Sequence, residues 1–280
     1  MRSYVLKRLT KCVIPAAGRG LRLRPLTDEM PKEMIRVGGK PLIEWTVREA
    51  LACGLTEICL ISRSAKRKME SHVIKIINED CRAGITFCCL EQKKALGLGR
   101  ALSLAKDFTG ADPFALMLPD NLVVAGRPVI LQMMEAFREY GLSVNALMKL
   151  PSSGRARHLS DSGRAEIELL AGPVYKVKKM FPKGKDVFPW RPKKVNYRLF
   201  PRQILLPEFF SYLEELSPPL PAEFDDVPVF QKIAEEGRLL GYYCRAEVFD
   251  AGNPEGLRNA RLHFSGSEFL KKPQRTQRKR

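Results

Sequence analysis

Apolar, β-rich runs alternate with amphipathic helical patterns from residue 11 to residue 150, which predicts an α/β fold with a doubly wound, Rossmann-like mixed sheet. Two further observations fit it. The chain has 280 residues, 45% hydrophobic and 8% aromatic, enough for a large α/β core. A glycine turn follows directly on the first apolar run, at the end of a strand where open α/β sheets bind their ligands.

Residues 11–16 (KCVIPA) read as the first strand. The helix over 41–53 opens on Pro41, which suits a first turn, and carries Ile43, Val47, Ala50 and Leu51 on one face. A strand at 57–62 (EICLIS), a helix at 67–78 and a strand at 84–90 (GITFCCL) continue the alternation. The next helix spans about 98–107, with Leu98, Ala101, Leu102 and Ala105 inward. A strand at 114–118 (FALML) ends at Pro119-Asp120, and a helix near 127–140 leads to a strand at 143–150. Beyond a polar loop at 151–164 the alternation breaks down. Strands are expected at 174–179, 197–205 and 240–249, helices at 207–216 and 225–236, and a final helix from Pro254.

Composition excludes some classes. No segment approaches 18 uncharged apolar residues, so no membrane-spanning helix is expected. Lys7, Arg8 and Lys11 interrupt any apolar leader. Seven cysteines (12, 53, 59, 81, 88, 89 and 244) show no paired spacing for zinc or a redox dithiol, and read as small buried hydrophobes in a reducing, cytoplasmic setting. The net charge is +17. Residues 271–280 (KKPQRTQRKR) carry six positive charges and no acid, so 266–280 is expected to be a disordered basic tail. No aromatic residue interleaves it, which argues against nucleic-acid binding. A second excess sets ten Lys/Arg against Asp186 alone between Lys176 and Leu206. Basic surfaces attract anions generally, so charge alone does not choose among nucleotides, sugar phosphates and nucleic acid.

The first loop reads Ala16-Ala17-Gly18-Arg19-Gly20-Leu21-Arg22-Leu23-Arg24-Pro25. Two glycines let backbone amides approach phosphate oxygens, and Arg22 and Arg24 add charge-assisted contacts. It is not a Walker A loop, which needs Gly-Lys-Ser/Thr, and Leu23 stands where a dinucleotide fingerprint needs its third glycine. With Pro31-Lys32-Glu33-Met34 and Gly39-Lys40-Pro41-Leu42 following, the stretch VIPAAGRGLRLRPLTDEMPKEMIRVGGKPLIEW resembles the opening motif of the nucleoside-diphosphate-sugar pyrophosphorylases, in particular the bacterial UTP–glucose-1-phosphate uridylyltransferases.

The resemblance implies a nucleotide-diphospho-sugar transferase fold over 1–265, with a nucleotide half at about 10–150 and a sugar half at about 151–265. It implies transfer of a uridylyl group from UTP to glucose 1-phosphate with release of pyrophosphate. Arg22 and Lys32 would contact the triphosphate, together with Ala16, Ala17, Gly18 and Gly20 of the loop. Gln92 and Gly97, in Gln92-Lys93-Lys94-Ala95-Leu96-Gly97-Leu98-Gly99, match the segment that touches the nucleobase. An amide can donate and accept at once, as an imide edge requires, and Gly97 and Gly99 would leave room for a flat ring. Asp120 of Leu118-Pro119-Asp120-Asn121 and Asp250 of Phe249-Asp250-Ala251-Gly252 match the two Mg²⁺ ligands. Mg²⁺ takes a few carboxylates and completes its octahedron with water and phosphate oxygens. Lys179 falls where a lysine holds the sugar phosphate, and Glu223 where a glutamate contacts sugar hydroxyls. A homo-oligomer, dimer or tetramer, is also implied. The family's Tyr-Gly near Arg157-His158-Leu159 is absent, and Leu21, Pro119 and Lys178 depart from its pattern. The same reaction with dTTP, CTP or another sugar, and a non-catalytic relative that senses nucleotide sugars, remain as alternatives.

Overall fold

The computed structural model describes residues 8–63, 67–80, 82, 84–150, 163–182 and 196–269. The Arg157-His158-Leu159 position, most of the polar loop and residues 270–280 lie outside the described residues, whereas residues 266–269, expected to begin a disordered tail, continue the final helix. Among those described, nine strands form one sheet with α-helices on both faces, the Rossmann-like mixed arrangement anticipated from the alternation.

Strand β1 (Lys11–Pro15) leads through two short strands, β2 (Arg36–Val37) and β3 (Lys40–Pro41), into helix α1 (Leu42–Ala52). Then come β4 (Glu57–Ser62), α2 (Arg67–Glu79), β5 (Thr86–Glu91), α3 (Leu98–Ser103), α4 (Lys106–Thr109), β6 (Phe114–Met117), β7 (Asn121–Val124), α5 (Val129–Tyr140) and β8 (Ser143–Leu150). The second half supplies β9 (Ala165–Ala171), β10 (Val174–Met180), β11 (Asn196–Leu205), α6 (Phe209–Leu216), α7 (Val227–Glu235), β12 (Leu239–Tyr243), β13 (Glu247–Asp250) and α8 (Pro254–Phe269).

The sheet order is β5-β4-β1-β6-β11-β8-β12-β10-β9. The first four strands are parallel, as right-handed crossovers through helices require. β11 inserts antiparallel between β6 and β8, so strands from both halves share one sheet.

Three expectations are revised. The helix over 98–107 is two short helices, broken at Leu104-Ala105. The strand over 240–249 divides at Cys244. Its first part stays in the main sheet, while β13 leaves it to pair antiparallel with β7, a strand that sequence patterning missed. β9 was also missed. It joins β10 through the Gly172-Pro173 turn, with Gly172 at φ 53°.

Each sheet face buries its own core. Ile43 and Val47 of α1, Val73 of α2 and Met133 of α5 cover one face. Ala101 of α3, Phe209 of α6 and Phe230 of α7 cover the other. A third cluster matters most for the site: Leu23, Leu122, Ala251 and Leu257 pack together with Ile35, Val37 and Leu42. Leu23 follows Arg22, Leu122 lies two residues after Asp120, and Ala251 follows Asp250. One apolar cluster thus ties down three segments far apart in sequence. Gly256, in the first turn of α8, allows that helix to seat here, since a Cβ on it would lie 2.0 Å from the Asp250 carbonyl oxygen.

The six described cysteines are free thiols, and burial pushes those of Cys12 and Cys244 far up, as inert core residues behave. Among the described residues no helix is long and apolar enough to cross a membrane.

Candidate active site

At the end of β1 the chain turns through Gly18 and Gly20. Gly20 has φ 70°, a left-handed conformation that glycine adopts without steric cost. Its carbonyl accepts hydrogen bonds from the Leu23 amide at 2.9 Å and from Thr27 Oγ1 at 2.9 Å, which close a single 3₁₀ turn over Leu21–Leu23. Leu23 faces inward, leaving Arg22 exposed on the loop. A second 3₁₀ turn, Lys32–Met34, directs Lys32 back beneath Gly18, where a Cβ would lie 3.5 Å from Lys32 Nζ.

Lys32 Nζ donates to Asp120 Oδ2 at 2.5 Å, and Asn121 Nδ2 donates to Asp120 Oδ1 at 3.0 Å. Burial alone would raise the Asp120 carboxyl, but the Lys32 ammonium, its hydrogen bond, the Asn121 amide and the nearby Arg22 outweigh it and hold Asp120 at about 2. Burial would lower Lys32, and the charges of Asp120 and Glu33 overcome that and raise it. Both groups are therefore charged near neutrality.

Asp120 is held from behind by Arg202 of β11, a side chain only 1% exposed. Its guanidinium donates to the Leu118 carbonyl at 3.0 Å and the Asn121 carbonyl at 3.1 Å, bracketing the Pro119-Asp120 turn, and its Nε donates to Glu49 Oε2 at 2.9 Å. Sequence reading missed Arg202, because only the insertion of β11 beside β6 brings it there.

Asp250 ends β13, paired directly with Asn121 of β7. A Cβ placed on Gly252 would lie 3.0 Å from Asp120 Oδ2, 3.1 Å from Arg22 Nη2 and 3.1 Å from Asp250 Oδ1. The two carboxylate oxygens are therefore no further apart than about twice that distance. Among the described residues no group of three His, Cys, Asp or Glu side chains could enclose a metal.

Two cavities meet at Asp120. One, of about 220 Å³, is lined by Ala17, Gly18, Lys32, Gln92, Gly97 and Leu98 among others. Gln92 is buried there, with Nε2 donating to the Gly97 carbonyl at 3.2 Å. The reason expected for the glycines needs correcting. A Cβ on Gly97 would sit 2.2 Å from the Phe224 carbonyl oxygen and one on Gly99 2.6 Å from the Phe224 ring, so the chain's own residue 224 fills that space. The second cavity, of about 720 Å³, is lined by Arg22, Asn145, Arg198, Gln203 and Asp250 among others. Arg198 is 3% exposed, with Nη2 3.9 Å from Asp250 Oδ2.

Arg22, Lys32, Asp120 and Asp250 are thus brought together, beside Ala16, Ala17, Gly18 and Gly20, with Gln92 and Gly97 in the adjoining cavity. Lys179 and Glu223 are not. Lys179 is exposed on β10, its ammonium 5.5 Å from the centre of the Phe181 ring, and Glu223 is exposed. Neither lines a cavity described above; Met180, next to Lys179, lines the larger one.

A family model described as nucleotidyl transferase matches residues 11–158, more than half of the chain. The chain belongs to the nucleotidyl transferase family. It is therefore a nucleotidyltransferase, and the strongly matching part is the half that carries the glycine loop, Lys32, Gln92 and Asp120. It is 30% identical to a UTP–glucose-1-phosphate uridylyltransferase of Pseudomonas aeruginosa, over 89% of this chain and 93% of that one. It is 28% identical to the Bacillus subtilis protein of that name, over 93% and 92%. A crystal structure of UDP-glucose pyrophosphorylase complexed with UDP-glucose superposes with a TM-score of 0.79 at 27% identity, covering 93% of this chain and all of that one. A UTP-bound enzyme of Acinetobacter baumannii, 23% identical, shares the nucleotidyl transferase fold at a TM-score of 0.76, over 94% of this chain and 98% of that one.

Proposed function

We propose that the protein transfers a uridylyl group from UTP to glucose 1-phosphate. The sugar phosphate oxygen bonds to the α-phosphorus, the bond from that phosphorus to the bridging oxygen breaks, and pyrophosphate leaves. The observation that carries the reading is the convergence of Arg22, Asp120 and Asp250 around Gly252, with Asp120 lining both cavities. The names of the relatives supply the choice of UTP and glucose 1-phosphate.

Each residue has a physical task. Gly18 and Gly20 admit phosphate oxygens close to the backbone, while Arg22 and Lys32 neutralise the charge that grows on the departing pyrophosphate. Gln92 lies in the smaller cavity, where its amide can pair with both donor and acceptor on a uracil edge. The sugar phosphate enters the larger cavity. There Arg198 is the buried cation that can meet its phosphate, a task the exposed Lys179 does not reach. The attacking oxygen is already anionic near pH 7, so no general base is required.

Asp120 and Asp250 are the residues that would hold Mg²⁺. The donor set fits: two hard carboxylates flank Gly252, with oxygens at most about 6 Å apart, and Mg²⁺ takes a few carboxylates together with phosphate oxygens and water. When bound, the ion supplies charge neutralisation for the phosphates and a fixed orientation. Lys32 already makes an ion pair with Asp120, so it holds that carboxylate in place and ionised.

The experiment is a pyrophosphate-release assay with four triphosphates and a panel of sugar 1-phosphates. Release is expected only with Mg²⁺, a triphosphate and a sugar phosphate all present, and fastest with UTP and glucose 1-phosphate. Absence of release under every combination overturns the reading.

A further inference from the structure

We propose that Arg19 and Arg63 hold the far phosphate of the nucleoside triphosphate and so grip pyrophosphate as it departs; this rests on the nucleotidyl-transfer reading above. A cleft of about 250 Å³, lined by Gly18, Arg19, Thr27, Glu29, Pro31 and Arg63 among others, lies against the glycine loop. Gly18 lines this cleft and also lines the smaller cavity with Lys32, Gln92 and Asp120, so the two spaces adjoin across a residue that has no side chain. Arg63 follows the last residue of β4. There the Ile61 carbonyl accepts from the Ala16 amide at 2.7 Å and the Ser62 carbonyl from the Gln92 amide at 2.8 Å, so Arg63 leaves the sheet between the glycine loop and Gln92. Arg19 is exposed and Arg63 half-buried, and among the described residues neither guanidinium makes a hydrogen bond or ion pair.

The direction of the reaction selects the ligand. In an in-line displacement the attacking oxygen and the leaving group lie on opposite sides of the α-phosphorus. The sugar phosphate attacks from the larger cavity, which Gly18 does not line, so the leaving group departs on the side of Lys32 and Gly18. The attacking oxygen gives an electron pair to phosphorus, the bond to the bridging oxygen breaks, and that oxygen keeps the pair and leaves with pyrophosphate. The cations already placed sit at the reacting end. Lys32 Nζ is 2.5 Å from Asp120 Oδ2, which offsets its charge, and Arg22 Nη2 lies beside Gly252 with Asp120 and Asp250. The far phosphate carries about two negative charges near pH 7, and its oxygens match the fork of a guanidinium. Asp28 and Glu29 are the acids in the cleft that oppose an anion. Arg24 Nε meets Asp28 at 3.0 Å, which leaves Arg19 and Arg63 against Glu29 alone.

The test compares wild type with R19Q, R63Q and R19Q/R63Q in both directions: forward with UTP and glucose 1-phosphate, and in reverse with UDP-glucose and pyrophosphate, always with Mg²⁺. Each single change is expected to raise the KM for UTP and for pyrophosphate roughly three- to tenfold, and the pair roughly ten- to hundredfold, as charge-assisted contacts near water do. The KM for UDP-glucose and for glucose 1-phosphate should stay within about twofold, because the first has no third phosphate and the second enters by the larger cavity. R19K and R63K should restore part of the loss, and added salt should weaken pyrophosphate less in the double variant than in wild type. Both side chains reach solvent, so Tm should change little; if R63Q does lower it, R19Q alone carries the comparison. An unchanged KM for pyrophosphate in the double variant, or an equal rise for UDP-glucose, overturns the inference while nucleotidyl transfer stands. If wild type turns over no triphosphate with any sugar 1-phosphate, nucleotidyl transfer itself fails, and this inference with it.

Discussion

Replacing Arg202 with Met should test how Asp120 is held. Arg202 is 1% exposed and its guanidinium serves Glu49, the Leu118 and Asn121 carbonyls on either side of Asp120, and the Pro201 carbonyl at 3.0 Å. Met occupies similar volume, so the change is mainly electrostatic. It leaves the nearly buried Glu49 carboxylate without its cation and takes one donor from each of three carbonyls, of which Leu118 and Pro201 keep only backbone amides at 3.4 and 3.3 Å. Breaking one partner of a buried ion pair costs about 3–5 kcal/mol. In a chain of this size that corresponds to a fall in Tm on the order of 10 °C. Urea unfolding followed by circular dichroism measures the loss, and pyrophosphate release measures the effect on Asp120. A double variant, R202M/E49L, should recover much of the stability, because no buried charge remains unpaired. It should not recover the activity, because the turn that carries Asp120 is still untethered. A stability loss below about 1 kcal/mol for R202M would sink the argument, as would full activity in the double variant.

Other outcomes follow from the same geometry. Asp120→Ala should reduce turnover by about a thousandfold or more while leaving far-UV circular dichroism unchanged, and a near-normal rate would remove Asp120 from the reaction. Gly252→Ala places a methyl 3.0 Å from Asp120 Oδ2 and 3.1 Å from both Arg22 Nη2 and Asp250 Oδ1. Its backbone is not in the left-handed region, so stability should change by less than about 1 kcal/mol while activity falls at least tenfold; unimpaired turnover would show that the space is unused. Asp120 is depressed from 3.8 to about 2, so its share of stability is complete above about pH 4 and is lost as pH falls towards 2. Lys32 is raised, so its share persists below about pH 10 and disappears only at higher pH. Lys32→Met removes the ammonium that holds Asp120 ionised and leaves burial to favour the protonated carboxyl, so the acid loss of stability that Asp120 carries should shrink or reverse below about pH 4; a urea midpoint that falls as steeply as in wild type between pH 4 and pH 2, measured without divalent ions, would contradict this. Gly97→Ala combines φ 94° with a Cβ 2.2 Å from a carbonyl, so it should cost several kcal/mol, visible as a lower Tm; an unchanged Tm would refute the packing against Phe224.

The sequence by itself determined the local pieces. Apolar runs and helical patterns located β1, β4, β8 and most helices, because strand and helix signals depend on neighbouring residues. The glycine loop and Asp120 stood out for the same reason: each is a short segment next to a recognisable strand. Asp250 came from resemblance, since an Asp ahead of a helix is equally a cap. Only the tertiary structure decided which distant segments meet. β7 and β13 are four-residue strands whose apolar character becomes meaningful once they pair with each other beneath α8. Arg202, Asn145 and Gln203 lie within strands and carry no motif; inserting β11 between β6 and β8 gives them their neighbours. Lys179 shows the reverse case. Its sequence position matched a sugar-phosphate lysine, yet an irregularity in the pairing between Val177 and Lys179 puts Met180 on the buried face with Val177 and leaves Lys179 exposed. A bulge shifts side-chain facing by one residue, which separates a ligand from a solvated charge, and it is set by pairing with β9, not by the motif.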